Sequence, residues 1–299
     1  MTACIPKKAP RWLILGGITM LMVSAVQAGM QDVLEAIEAS EFNFARATSE
    51  VPFLPLGWAT NNYYPQARFE PEYLLLPDAT VEENATSIGA LMPVYVSTRD
   101  MILLGADLSL DLIRVKAGPF ADQSVVRITP VAAWLHQLGQ DDLVGSFVAP
   151  LFSKEIEQGG SWGASGYAGV VGMHWVSDRV QWLYGGVYQN SFGQDTFYPY
   201  LGLQWTPSPK LALSLIFPWP SITYVPAENW MLQVGISPGG SSWVKRRGAY
   251  EVTESFGSWN LTGSVGYRLH GSFWLVGSAG AAGFRAWELG NDDNGLRYE

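Results

Sequence analysis

Few residues in this chain are placed to do chemistry, and their spacing limits what each could do. His270, Gly271 and Ser272 set a base and a hydroxyl two positions apart. On an extended strand, residues i and i+2 face the same way, so the imidazole could activate the hydroxyl for acyl transfer. The tripeptide falls in a predicted turn, however, where His-Gly-Ser is ordinary, and the turn is the preferred reading. Gly235-Ile236-Ser237-Pro238-Gly239 has the letters of a nucleophile elbow. An elbow needs a strand, a sharp turn and a helix. Here Pro238 and a Gly-Gly-Ser-Ser run follow without helical period, which predicts a strand-ending turn. The three His (136, 174 and 270) are far apart, with no carboxylate beside them at metal-ligand spacing. Neither a metal nor a cofactor is expected, and no enzymatic activity. Asp107, Ser109 and Asp111 share one face of an alternating segment, with Arg127 or Arg268 as candidate partners. They could tune the ion preference of an enclosed polar interior, or fill a narrow one as a structural ion-pair network.

The elements that carry these residues have a period of two. In Trp259–Arg268 the odd positions read Trp259, Leu261, Gly263, Val265, Tyr267, and the even ones Asn260, Thr262, Ser264, Gly266, Arg268. One face is apolar and the other small and polar, the mark of a strand with one face against an apolar medium. Thr196–Thr206 repeats it, with Phe197, Leu201, Leu203 and Trp205 opposite Gly202 and Gln204. Val180–Gln189, Trp230–Ser237 and Met101–Ile113 do the same.

Composition sets the medium. The chain has 299 residues, 48% hydrophobic and 15% charged, with thirteen Trp, one Cys and a net charge of −9. So low a charged fraction argues against disorder. The negative charge argues against a nucleic-acid partner held through phosphates. Lys7, Lys8 and Arg11 precede an apolar run from Trp12 to Val26 that ends in Val26-Gln27-Ala28. This pattern predicts a cleaved secretory signal peptide over residues 1–28. Its removal would take the sole Cys, Cys4, and shift the net charge from −9 to −12. No later run of 18 apolar residues exists, so spanning helices are excluded.

The aromatics fall near strand ends: Trp182, Tyr188, Phe197, Trp205, Trp230, Trp259 and Tyr267. Two aromatic girdles at the headgroups of a bilayer give that placement a physical reason. Short turns at Ser97–Asp100, Gly139–Asp142, Ser177–Arg179, Thr206–Lys210 and Leu269–Ser272 alternate with expected longer loops. Those loops are Pro77–Ala85, Lys116–Gln123, Ser153–Gly166, Gln189–Asp195 and Glu251–Ser258. The expected fold is all-β: a transmembrane, antiparallel, up-and-down β-barrel of about twelve strands, or fourteen if Pro238–Tyr250 contributes. It occupies residues 67–299. Residues 29–66 are expected to form a periplasmic lead-in, with a lumen segment as the alternative. The run Tyr198–Tyr224, above all Phe217-Pro218-Trp219-Pro220-Ser221-Ile222-x-Tyr224, resembles an uncharacterised family of predicted outer-membrane β-barrels, a domain of unknown function. The resemblance implies a Gram-negative outer membrane and no assigned activity. It departs at the chain end, Leu296-Arg297-Tyr298-Glu299, which lacks the usual terminal aromatic; a closing strand could be missing, or be supplied by Phe42–Ala47.

The expected partners are outer-membrane lipids and the barrel-insertion machinery. The expected role is a passive pore or transporter for small solutes, its lumen lined by Asp107, Asp111, Arg127, Gln204, Asn260, Thr262 and Arg268. The alternatives are a structural or surface-interaction barrel with a filled interior, and a lipid-modifying enzyme using His270 and Ser272. Oligomeric state and solute are open at this point.

Overall fold

The computed structural model describes residues 42, 57–69, 78–118, 121–157, 160–191, 194–217, 219–247, 250–270, 273–289 and 296–298. The expected signal peptide, residues 1–28, lies outside them. Every described element is a strand: β1 (Gly57–Phe69), β2 (Ala79–Val96), β3 (Asp100–Ala117), β4 (Gln123–Gln137), β5 (Asp142–Glu155), β6 (Gly163–Ser177) and β7 (Val180–Ser191). The second half continues with β8 (Gln194–Ser208), β9 (Leu211–Ile216), β10 (Ser221–Ala227), β11 (Trp230–Arg247), β12 (Tyr250–His270), β13 (Phe273–Leu289) and β14 (Leu296–Tyr298). They form one antiparallel sheet in strict sequence order, β1 to β14. Among the described residues the strands number fourteen, the upper of the two expected counts, although residues 238–247 only lengthen β11.

Several expected boundaries move. Trp58 to Pro65 belong to β1, so the division at residue 66 cuts a strand. Both faces of that stretch carry polar groups, which hides its alternation. The expected loops Pro77–Ala85 and Glu251–Ser258 lie mostly in β2 and β12. The connection within Gln189–Asp195 is as short as the turns, because β7 ends at Ser191 and β8 begins at Gln194. At the chain end Leu296–Tyr298 does pair, with Trp287–Leu289 of β13.

The ladder registers sort every side chain onto one of two faces, because the side-chain period is two. On one face the large apolar residues stand open: Leu104 and Leu108 on β3, Leu201 on β8, Leu232 and Val234 on β11, Leu261 and Val265 on β12. Leu201 and Phe197 are each 63% exposed. On the other face the buried set includes Asp111, Gln123, Ser153, Glu155, Gln181, Thr223, Glu254 and Ser258. This inverts the usual arrangement of a soluble protein, in which charged groups are almost never fully buried. The buried face is the concave one. Gln123 on β4 and Glu254 on β12 both belong to it, and the Gln123 amide Nε2 donates to Glu254 Oε2 at 2.5 Å. Two strands so far apart in the order touch only if the sheet curls toward this face. β11 likewise approaches β5, and Cα atoms of β1 come within 8 Å of β13. No hydrogen-bonded ladder joins those two edges among the described residues.

At several positions a cross-strand aromatic ring covers a glycine. The Trp58 indole lies against Gly89, Tyr184 against Gly172 and Phe197 against Gly186. A glycine leaves the backbone bare, and a cross-strand ring covers it. The open face carries two rows of exposed aromatics. Trp134, Trp182, Trp205, Trp230 and Tyr267 stand near the short turns; Phe152, Tyr188, Phe197, Phe217 and Trp219 stand toward the other end. Trp230 and Tyr267 pack edge to face, with ring centroids 5.0 Å apart.

Candidate functional site

The concave face of β1–β4 holds a polar cavity of about 200 Å³. Its lining includes Thr60, Asn62, Ser87, Asp107, Ser109, Asp111, Arg127 and Thr129. The register explains the convergence. Gly89 pairs with Asp107 and Ser87 with Ser109 between β2 and β3; Asp107 then pairs with Thr129, and Ser109 with Arg127, between β3 and β4. Alternation places all of them on one face.

Arg127 organises the cavity. Its Nη2 lies 2.7 Å from Asp111 Oδ2, and its Nε donates to Ser109 Oγ at 3.0 Å. Asp111 is 1% exposed and Arg127 18% exposed. Charges so far from water are held only by close pairing and hydrogen bonds. Asp107 is fixed differently. Trp58 on β1 pairs with Gly89 on β2, and its indole crosses that bare position to donate from Nε1 to Asp107 Oδ2 on β3 at 2.8 Å. Beside it Thr60 and Ser87 hydroxyls share a 2.8 Å hydrogen bond.

Of the candidate lining residues, the structure brings Asp107, Asp111 and Arg127 together. Gln204 lies elsewhere on the same face, accepting at Oε1 from Gln181 Nε2 at 2.5 Å. Asn260 and Thr262 face Ser237 and Gly235 on β11, and Asn260 Oδ1 accepts from Ser258 Oγ at 3.3 Å. Arg268 sits near the short-turn end of β12, its guanidinium 4.8 Å above the Trp274 ring. All seven share one face by register, and only three form a cluster.

The remaining candidates are dispersed. His136 Nδ1 and Asp100 Oδ1 lie 2.8 Å apart, and His174 Nδ1 and Asp142 Oδ1 2.7 Å apart. Each pair joins neighbouring strands, β3 to β4 and β5 to β6, at the short-turn end of the sheet, on the exposed apolar face. No three metal-ligating side chains group together among the described residues. Ser237 and Pro238 continue as strand, paired with Asn260 and Trp259. His270 ends β12, and Ser272 lies outside the described residues. Of the N-terminal segment, Phe42, like Leu135, packs against the cluster of Leu143, Met173 and Trp175 on the concave face; residues 29–41 and 43–56 are outside the description.

Sequence reasoning missed Trp58, Gln123, Glu155, Trp243 and Glu254. Trp58 lay in a segment read as a lead-in, and Glu254 in one read as a loop. Local alternation gives no sign of a partner that lies across the sheet.

Among the described residues no helix is long and apolar enough to cross a membrane. No protein-family profile matches the chain, and no curated protein sequence is detectably similar to it.

Proposed function

We propose that this chain is a β-barrel of a Gram-negative outer membrane, exported by its signal peptide, that passes small polar solutes through its interior. The observation that carries the proposal is the inversion of its two faces. Aliphatic and aromatic side chains stand exposed on the convex face, while acids, amides and hydroxyls are buried on the concave one. Water gives no reason for such a surface; a hydrocarbon surround does. The dimensions agree. Phe197 and Trp205 are eight residues apart on β8, which is about 26 Å along a strand at ~3.3 Å per residue. At a tilt of about 40° this projects to roughly 20 Å, close to the apolar band of outer-membrane barrels. Closure in this reading runs through β1 and β13, whose edges already approach. Lipids are then the partners of the convex face, and the insertion machinery the partner of the nascent sheet.

The lumen in this reading prefers cations. Its described side chains include the acids Glu83, Asp107, Asp111, Glu155 and Glu254 against Arg127 and Arg268. Recordings on the purified, detergent-refolded protein in planar bilayers test the role: stepwise conductance with a cation-selective reversal potential is expected. A mature chain that stays soluble without detergent and shows no heat-modifiable migration would defeat the barrel itself.

A second reading, a barrel with a filled interior and a structural or surface-binding role, is favoured by one observation. Trp243 and Glu254, each 0% exposed, lie on strands that reach across the concave side to Gln123 and β5. In that case the folded protein carries no current and binds through its loops.

A further inference from the structure

The polar cavity has a shape that the ladders explain. β2 presents Gly89, Ser87 and Ala85 to the concave face, none with a side chain longer than a hydroxymethyl group. Longer side chains flank them in register: Trp58, Thr60 and Asn62 on β1, Asp107, Ser109 and Asp111 on β3. A row of short side chains between two rows of longer ones leaves a trough, and the cavity of about 200 Å³ occupies it.

The trough is closed at one end. On the loop side the next rung is Glu83, Ile113 and Gln123, which are 7%, 2% and 0% exposed. Toward the short turns the next rung is Leu91, Gly105 and Val131, only half-buried. The cavity is therefore a cup that faces the short-turn side. Its walls are held by bonds already formed: Arg127 to Asp111 and Ser109, Trp58 to Asp107, Thr60 to Ser87. A ligand entering such a cup has little side-chain ordering to offset.

The donor set selects the ligand. The hydroxyls of Thr60, Ser87, Ser109 and Thr129 and the amide of Asn62 can each donate and accept. A matching ligand does both at each of its own groups, as the hydroxyls of a sugar or polyol do. The one guanidinium of the cup is engaged by Asp111 and Ser109, which leaves no unmatched cation for an anion. No three metal-ligating side chains gather among the described residues, so a metal ion lacks a ligand set. Asp107 keeps acceptor capacity, because a carboxylate has about four lone-pair sites and the Trp58 indole uses one. A ligand hydroxyl can fill another in a charge-assisted bond. The volume lies below the roughly 300–1,000 Å³ of pockets for drug-sized ligands, which limits the occupant to about one ring.

We infer that this cup is a binding site for a neutral, polyhydroxylated solute the size of a single sugar ring. Asp107 accepts from one ligand hydroxyl, and Asn62, Ser87 and Thr129 bond others. The inference rests on the pore reading for the route by which the solute arrives, and it names the class of solute held on that route.

Binding is measured apart from passage. The full chain, refolded in lauryldimethylamine oxide (a detergent without sugar groups), is probed by saturation-transfer NMR with D-glucose, xylitol and tetramethylammonium. Glucose and xylitol should bind saturably and displace one another, and tetramethylammonium should displace neither. Asp107→Asn keeps an acceptor for Trp58 and should weaken both roughly fivefold, the difference between a charge-assisted and a neutral hydrogen bond. Ala85→Leu fills the trough from its floor and should abolish binding. Ser264→Ala, on β12 and outside the cup, should bind as the wild type does. Heat-modifiable migration verifies the fold of each. Absence of glucose and xylitol binding, or binding that Asp107→Asn and Ala85→Leu leave unchanged, would overturn the site. Preference for tetramethylammonium would overturn it in favour of a cation site. Liposome swelling keeps the two readings apart: uptake of xylitol without binding would leave the pore standing and remove the site, and binding without uptake would do the reverse.

Discussion

At the scale of single residues, the cavity depends on two contacts of different kinds. The first is the ion pair of Arg127 with Asp111, 2.7 Å long and largely shielded from water. Removing one member leaves a buried charge without its partner, which costs about 3–5 kcal/mol in comparable pairs. Arg127→Ala is expected to lower stability by that order in urea titrations of the protein folded in liposomes. Arg127→Met combined with Asp111→Leu should recover most of the loss, because no charge is then left buried. The second contact is the reach of Trp58 across Gly89 to Asp107. A Cβ at Gly89 would meet the indole ring, so Gly89→Val must push Trp58 aside and forfeit the hydrogen bond. A loss of about 1.5–3 kcal/mol is expected. Phe at position 58 should lose the same bond while keeping the ring, and adding Gly89→Val to Trp58→Phe should then cost less than Gly89→Val alone. Equal costs in both backgrounds would show that the ring, not the bond, matters.

At the scale of elements, each strand's two faces make opposite demands. Leu201 is in the middle of β8, on the convex face, and already 63% exposed. In a soluble sandwich, Leu201→Arg at such a position would change stability by no more than a few tenths of a kcal/mol. On the lipid face of a barrel near the bilayer midplane the same change costs about 2–4 kcal/mol. Thr262→Arg, on the concave face of β12, should be tolerated better and alter conductance instead. Urea unfolding of both variants in liposomes separates the two environments by the sign and size of that difference. These faces were legible in the sequence wherever aliphatic and small polar residues alternate strictly, as in β7, β8 and the lower half of β12. They were not legible in β1, where Asn61, Asn62, Tyr63 and Tyr64 present polar groups on both faces. Nor were they legible in residues 238–242, where Gly and Ser carry no hydrophobic period. The strand ends suffered most: Ala79–Ala85 reads as a loop because Glu82, Glu83 and Asn84 are consecutive polar residues, yet all lie in β2.

At the scale of the molecule, the buried contact that says most has the largest sequence separation. Gln123 and Glu254 lie 131 residues apart. Nothing local foretells their meeting, since it follows from the curl accumulated over the strands between them. By contrast, the convergence of Asp107, Asp111 and Arg127 was partly legible, because β3 and β4 are consecutive strands joined only by residues 118–122, and Asp107 and Asp111 alternate onto one face of β3. In the proposed pore, what the whole interior does to a passing ion depends on the sum of its charges rather than on any one pair. Field lines in a low-dielectric channel are focused along its axis, so an excess of acids raises the local concentration of cations. Asp107 is the member of the set that can be neutralised at least structural cost. It is only half-buried, and its bond from Trp58 survives in Asp107→Asn, where the amide oxygen still accepts. The wild-type protein is expected to give a potassium-over-chloride permeability ratio above one in a tenfold salt gradient. Asp107→Asn should move the reversal potential toward the anion side at unchanged unit stability, and raising the salt from 0.1 M to 1 M should shrink the difference as screening shortens from about 10 Å to 3 Å. An unchanged reversal potential in Asp107→Asn would mean that ions pass without sensing this cavity, and would move the selectivity to Glu83, Glu155 and Glu254.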